Sequence, residues 1–344
     1  MLWGAIGLGK QGIGNREQGI DGRIVGCFRF VVFFDTLGIM AIEKMLVGPL
    51  VLEPIQQEKI WGSLSLEPWF DVQGLVKPIG EAWLTAAECA IAEGSLQGQT
   101  LAWAAEEFPA LLGDETAGGF PLLIKILFPQ EKLSVQVHPN DVQALAVGEP
   151  QGKTECWYVL AAEPGATIAL GFREELSLEQ VREAIADGTL EDKLAHVPVK
   201  AGDMAFVPAG TVHAIGPGVT ILETQQYSDT TYRLFDYGRD RPLHLDQGLG
   251  VTVVTTGAAV VPSVEREGYD ELVTSDYFTV DRFEGEAELG FAEELQILIA
   301  LTEGCSLVSE AGNSVELPKS HAVVVPGEGV GYRVVGGEVV RVRR

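Results

Sequence analysis

The sequence predicts an all-β-dominated protein of two β-barrels with a small helical insertion. Three observations carry this. From residue 46 onward the chain is a succession of short segments rich in β-branched or aromatic residues, punctuated by Gly, Pro or Asp. Helical patterns are few and short. A stretch late in the chain echoes one in the middle, as two related barrels would.

The strand segments, in order, are VGPLVLEPI, GFPLLIKILF, KLSVQVH, TECWYVL, ATIALGF, DMAFVPA, TILETQQY, GVTVVTT, LQILIAL, HAVVVPG and YRVVGGEVVRVRR. Their spacing fits antiparallel sheets. SLEQVREAIADG (177–188) reads as a helix: Ser177 caps it, Leu178, Val181 and Ile185 recur at helical spacing, and Gly188 closes it. TLEDKLAHV (189–197) is expected to continue as another short helix, making an insertion of about 174–197. TLAWAAEEFPALLG (100–113) and NDVQALAVG (140–148) are the remaining helix candidates. The echo aligns KAGDMAFVPAGTVHAIG (200–216) with PKSHAVVVPGEGVGYRV (318–334) on their Val-Pro pairs. His213 then falls on Gly331 and Asp203 on His321, so only the first copy is expected to keep a ligand site.

This divides the chain into an extension (1–44), a metal-binding part (45–262) and a degenerate copy (263–344). Gly7, Gly9 and Gly12 match a dinucleotide-binding spacing, and Gly4, Gly9 and Lys10 nearly match a phosphate loop. Both are rejected. No proper strand precedes them, no clear helix follows, and Gln11 stands where a phosphate loop needs Ser or Thr. Met40 and Met45 suggest that part of this segment lies outside the folded core.

Forty-nine acidic against 24 basic residues give a formal charge of −25. That excludes nucleic acid held by a basic surface and an electrostatic hold on an anionic membrane. An anionic substrate would need a local basic pocket working against the global field. The four cysteines are widely spaced without CxxC, so buried reduced thiols and a cytoplasmic location are expected. The best apolar run, IVGCFRFVVFF, is too short to span a bilayer, and the N-terminus does not read as a signal peptide. Nothing in the sequence specifies an oligomeric state.

The chemistry begins at LSVQVHPND (133–141). Strand side chains alternate, so Ser134, Gln136 and His138 share one face, opposite Leu133, Val135 and Val137. In GKTECWYVL (152–160), Lys153, Glu155 and Trp157 share a face. A Glu facing a core is costly unless paired or metal-bound. VPAGTVHAIGPG (207–218) ends a strand in a turn and presents His213. Gln136, His138, Glu155 and His213 are therefore a candidate set of four N/O ligands. Without a thiolate the set leaves Zn²⁺, Mn²⁺, Fe²⁺ and Ni²⁺ open. The plain alternative is a hydrogen-bonded core His beside an exposed Gln and Glu.

LSVQVHPND, GKTECWY, VPAGTVHAIGPG and ETQQYSDTTYRLFDYGR (223–239), in this order, resemble the type I mannose-6-phosphate isomerases of the cupin superfamily, most closely their shorter bacterial branch. KIWG (59–62) and PIGEAW (78–83) resemble that family's early motifs, and the likeness runs from about 46 to 344. The resemblance implies two cupin (jelly-roll) barrels and one zinc ion per chain, held by the same four residues. It implies that Arg233 reaches the reacting end of a hexose 6-phosphate, and that Lys153 serves catalysis or contacts the phosphate. Ser134 and Lys125 match the phosphate side, and Glu223 lies on a strand lining the cavity. The implied reaction interconverts mannose 6-phosphate and fructose 6-phosphate through a cis-enediol. Lys153 could be the base only with a lowered pKa, which zinc and Arg charge beside it would provide.

Arg233 also has a plain reading, as a surface partner of Asp229 or Asp236. Trp157 is expected in the core, and His196, His244 and His321 on loops or the surface. The chain departs from the longer branch of the family at Gly152, where that branch often has a His, so a ring-opening acid there does not carry over. The rival functions are a cupin isomerase or epimerase for another sugar phosphate, a non-catalytic sugar-phosphate-binding cupin, and an iron-dependent cupin oxygenase.

Overall fold

The computed structural model describes residues 47–112, 119–255, 257–292, 294–327 and 330–344. They belong to one compact unit, Leu46–Arg344. The expectations for residues 1–44, Cys27 included, lie outside the described residues.

The strands form four antiparallel sheets of seven, five, eight and four strands. The seven-stranded sheet runs in the order Ala259–Val261, Met204–Val207, Glu155–Ala162, Val219–Gln226, Leu122–Leu127, Ile79–Trp83, Ile55–Ser63. It packs against a five-stranded sheet in the order Tyr232–Phe235, Val135–Val137, His213–Ile215, Thr167–Phe172, Leu194–Pro198. Trp157, Val159 and Leu127 from the first meet Ile168, Leu170 and Ile215 from the second. The eight-stranded sheet packs likewise against the four-stranded one, with Leu298, Val323 and Val339 meeting Leu307, Leu317 and Val334. This is the expected all-β pair of barrels.

The other faces of the two large sheets pack against each other. Ile124, Ile126, Cys156, Tyr158 and Leu222 join Leu52, Ile297, Ile299, Val324 and Val342 in one cluster. The central strands are thus buried on both sides, so they read as near-continuous apolar runs. Polar residues in register with Trp157, such as Glu223 and Lys125, face the interior of the first barrel. Strands Leu50–Leu52 and Ile91–Glu93 complete the eight-stranded sheet, whose other strands come from 264–343. The echo is visible: Met204–Val207 and His213–Ile215 lie on facing sheets of one barrel, and Ala322–Val325 and Val330–Val335 on facing sheets of the other.

Helix Leu178–Ala186 carries the expected Ser177–Gln180 capping box and lays Val181, Ala184 and Ile185 on the outer face of the five-stranded sheet. Three helix or strand expectations need correction. In 189–197 only Leu190–Lys193 is helical, a 3₁₀ turn, and Leu194–Pro198 is an edge strand paired with Thr167–Phe172. The helix expected over 100–113 is broken into Leu101–Glu107 and Pro109–Leu112, because Pro109 has no N–H to continue the ladder. GVTVVTT is not a strand: helix Leu245–Val251 runs into it, burying Leu249 and Val251 against the five-stranded sheet. Cys89, Cys156 and Cys305 are buried free thiols. Among the described residues no helix is long and apolar enough to cross a membrane.

In the second barrel, fully buried Asp281 accepts from Arg341, 2.7 Å away, and from Nε of Arg343 at 2.9 Å. Removing one partner of a buried ion pair strands the other. Asp281→Asn should therefore cost about 3–5 kcal/mol in chemical denaturation; a cost within experimental error would show that Arg341 is otherwise satisfied.

Candidate metal centre and its cavity

The interior of the first barrel brings together side chains far apart in sequence. On the seven-stranded sheet, Glu223 lies in register with Lys125 on one side and Trp157 on the other, and Gln225 with Glu155. On the five-stranded sheet, Gln136 is flanked by His213 and Arg233. His138 and Lys153 lie just beyond strand ends, where two further interactions fix them. The Lys153 N–H donates to the Pro139 carbonyl at 2.9 Å, and a capping box at Asn140–Gln143 starts the helix after His138.

His138, Glu155 and His213 are 2%, 0% and 1% exposed. Their ligand atoms lie within 4.8 Å of one another, a group that can hold a metal ion. The hydrogen bonds fix the tautomers. His138 Nδ1 donates to the Thr230 carbonyl at 2.8 Å, and His213 Nδ1 to the Thr211 carbonyl at 2.9 Å. A carbonyl only accepts, so each neutral ring keeps its lone pair on Nε2. Those lone pairs face a carboxylate: His138 Nε2 is 3.6 Å from Glu155 Oε2, and His213 Nε2 is 3.4 Å from Glu155 Oε1. His138 Nε2 and both Glu155 oxygens are buried without a well-formed hydrogen bond. Acceptors facing acceptors in a buried site repel, and the Lys153 ammonium at one Glu155 oxygen and the Gln136 amide at His213 offset this only in part. The donor set thus fits a divalent metal, with the Thr230 and Thr211 carbonyls holding both rings with Nε2 turned toward Glu155.

Gln136 touches this group through its amide nitrogen, 3.3 Å from His213 Nε2, while Ser134 Oγ donates to Gln136 Oε1 at 3.3 Å. The Lys153 ammonium stands 3.1 Å from Glu155 Oε2. Burial opposes its charge, but Glu155, Glu223 and Asp229 outweigh burial and raise its pKa. The lowered pKa that a lysine base needs is absent from the protein alone. Glu223 is raised by burial and by Glu155 beside it. Its Oε1 accepts the Trp157 indole N–H at 3.1 Å, which keeps Trp157 in the core as expected.

Beside this group opens a cavity of about 290 Å³, lined by Ser134, Gln136, Lys153, Lys125, Glu223 and Arg233 among others. Each residue proposed from the sequence as a metal ligand, catalytic group or substrate contact lies on this cavity or in the buried group next to it. Five cations line it, Lys59, Lys125, Lys153, Arg233 and Arg241, against three carboxylates, Glu81, Glu223 and Asp229. The wall is locally basic in a chain of charge −25. Lys125 lies 3.5–3.9 Å from Glu81, Glu223 and Asp229, and Lys59 lies 3.5 Å from Glu81. Arg241 pairs with Asp236 at 2.5 Å. Arg233 makes no carboxylate pair among the described residues. Its guanidinium donates to the Pro242 carbonyl at 2.8 Å, and its buried Nε has no partner. The surface pairing with Asp229 or Asp236 is not formed.

The sequence reading assigned no role to Lys59, Glu81 or Arg241, and named Asp229 only as a surface partner for Arg233. The first two stood inside KIWG and PIGEAW, which were read only as motifs. It also set aside His244, which contacts Arg233. Gly152 has a steric reason: a Cβ there would lie 2.5 Å from the Asn140 carbonyl carbon and 2.7 Å from the Pro139 oxygen.

Fold and site together define a cupin protein with a buried metal-ligand group beside a basic cavity. The family model "Phosphomannose isomerase type I, catalytic domain" matches residues 50–172. A mannose-6-phosphate isomerase of Streptococcus mutans is 36% identical over 292 residues, covering 81% of this chain and 92% of the relative. One of Bacillus subtilis is 37% identical over 284 residues, covering 76% and 87%. The crystal structure of a Bacillus subtilis mannose 6-phosphate isomerase superposes with a TM-score of 0.78 at 31% identity, covering 86% of this chain and 99% of that one. The chain belongs to the type I phosphomannose isomerase family.

Two predictions follow from the geometry. Burial, reinforced by Lys153, holds His138 well below the ordinary histidine value; burial lowers His213 to about 4. Between about 6.5 and about 4 the unfolded chain binds protons that the metal-free folded chain does not. Stability of the chelated protein should therefore fall as pH drops through that window, by about 1.4 kcal/mol per unit for each ring. Urea midpoints read this, and a flat profile would contradict the tautomers assigned. Gly152→Ala should push the 139–141 backbone away and cost about 1–3 kcal/mol by the same measurement; an unchanged midpoint would mean that the contact yields freely.

Proposed function

We propose that the chain interconverts mannose 6-phosphate and fructose 6-phosphate, with one zinc ion per chain held by Gln136, His138, Glu155 and His213. The observation that carries this is the buried group of inward-facing acceptors adjoining a basic cavity in which Arg233 has no carboxylate partner. The histidines and Glu155 already converge. Gln136 completes the set when its amide turns to present Oε1. The N/O donor set suits zinc, and a zinc requirement rather than an iron requirement separates this reading from an oxygenase.

The reaction moves a proton between C1 and C2 of the open-chain sugar through a cis-enediol, and negative charge grows on oxygen as it does so. When bound, the metal polarises a substrate oxygen or orders the hydroxyls beside it. Arg233 places a fixed cation at the reacting end. Lys125 and Ser134 bind the phosphate side. The proton needs an acceptor, and the cavity supplies two candidates. Lys153 is held as an ammonium in the protein alone, and bound metal charge would act against that. Glu223 is a buried carboxylate whose pKa burial and Glu155 raise, which makes it the better proton acceptor of the two carboxylates. No side chain fits at Gly152, so the ring-opening proton comes from solvent or another group of the cavity.

Residues 45–262 supply the catalytic part, apart from strands Leu50–Leu52 and Ile91–Glu93, which join the second barrel's sheet, and 263–344 supply the rest of the copy without ligands, with Gly331 in the place of His213. Buried free thiols fit a cytoplasmic location. A binding protein for the same sugar would have no use for both a metal group and an unpaired Arg233.

A coupled assay of fructose 6-phosphate formed from mannose 6-phosphate tests this, with glucose 6-phosphate as control. Activity should vanish on chelation and return with zinc. No turnover by folded, zinc-loaded protein would overturn the isomerase reading in favour of a binding protein or another substrate.

A further inference from the structure

Arg233 lies on Tyr232–Phe235, the edge strand of the five-stranded sheet. An edge strand leaves a row of N–H and C=O groups without ladder partners. At Arg233 one residue takes both. The Arg233 N–H donates to His244 Nδ1 at 3.1 Å, and the Arg233 carbonyl accepts from the His244 N–H at 2.8 Å. Two residues earlier, the Pro242 carbonyl accepts from the guanidinium at 2.8 Å. His244 thus stands in for a missing neighbouring strand, at the residue that carries the unpaired cation.

The inner side of the strand does not fix Arg233 as well. Its N–H and C=O are turned outward, so its pairing with Gln136 is the non-hydrogen-bonded kind. The register then slips between Arg233 and Phe235. His244 also precedes helix Leu245–Val251 as its N-cap, where a side chain ordinarily accepts from the first turn; its ring makes no such bond and is spent on Arg233.

We propose that His244 is the positioning residue for Arg233, holding its backbone so that the guanidinium faces the cavity. This rests on the reading of Arg233 as the cation at the reacting end of the substrate.

The test is a double-mutant cycle on the full-length, zinc-loaded chain, reading kcat and KM for mannose 6-phosphate, with thermal melting to verify folding. His244→Ala should lower kcat/KM about 10- to 100-fold, the scale of a misplaced catalytic group. His244→Asn, whose Oδ1 can accept the same N–H, should return to within about 3-fold of the parent. In an Arg233→Ala background, His244→Ala should cost less than about 2-fold more. Parental kinetics in His244→Ala, equal damage in His244→Asn, or a full additional loss on Arg233→Ala would each overturn the proposal. If the parent fails to turn over mannose 6-phosphate, the isomerase reading falls instead. Crystal structures of the parent and of His244→Ala then carry the test: an Arg233 guanidinium moved off the Pro242 carbonyl supports the positioning role, and an unmoved one overturns it.

Discussion

Glu155 imposes the constraint on which the site depends. It is a carboxylate with no solvent exposure, at the start of a strand covered on both sides, and each of its oxygens faces a histidine lone pair. Such an arrangement is unfavourable in isolation, because nothing within it donates a proton to the facing atoms. Its neighbours do not remove the conflict. Thr230 and Thr211 lock the rings with their acceptor nitrogens inward, Lys153 adds a charge at one oxygen only, and the Gln136 amide reaches only the His213 nitrogen. A divalent cation among the three resolves the repulsion. The fold therefore holds a local conflict that metal binding relieves, which is how a pre-organised site differs from ordinary core.

The sheets make that arrangement rigid. The strand bearing Glu155 packs its alternate residues, Cys156 and Tyr158, into the apolar layer between the barrels. The second barrel needs no chemistry to matter: it covers the outer face of the sheet that carries Glu155, Glu223 and Lys125. The helices on the far side do the same for the sheet carrying Gln136 and His213. With both sheets backed, the cavity walls have little freedom to collapse around the buried charges.

Period-two alternation made Gln136, His138, Glu155 and Lys153 legible in the sequence, because a polar face on a strand in an apolar context has few explanations. The same rule set Trp157 on the face of Glu155, and its size favoured the core over a sugar-stacking role. It said nothing of Lys59, Glu81 or Asp229, whose roles as partners of Lys125 depend on strands joined across the sheet from distant parts of the chain. His244 was unreadable for a related reason: its importance lies in an edge-strand backbone, which leaves no periodic trace. Local propensity also misled at 189–197, where edge pairing with Thr167–Phe172 overrode a helical pattern, and at GVTVVTT, where burial of Leu249 and Val251 extended a helix into a β-branched run.

X-ray absorption at the zinc edge of the purified, zinc-loaded protein addresses the central claim directly. The account predicts a shell of nitrogen and oxygen donors with imidazole scattering from two histidines and no sulfur, and loss of one imidazole contribution in His213→Ala. A shell containing sulfur, or one unchanged in that variant, would place the metal elsewhere and contradict the role given to Glu155 and its histidines.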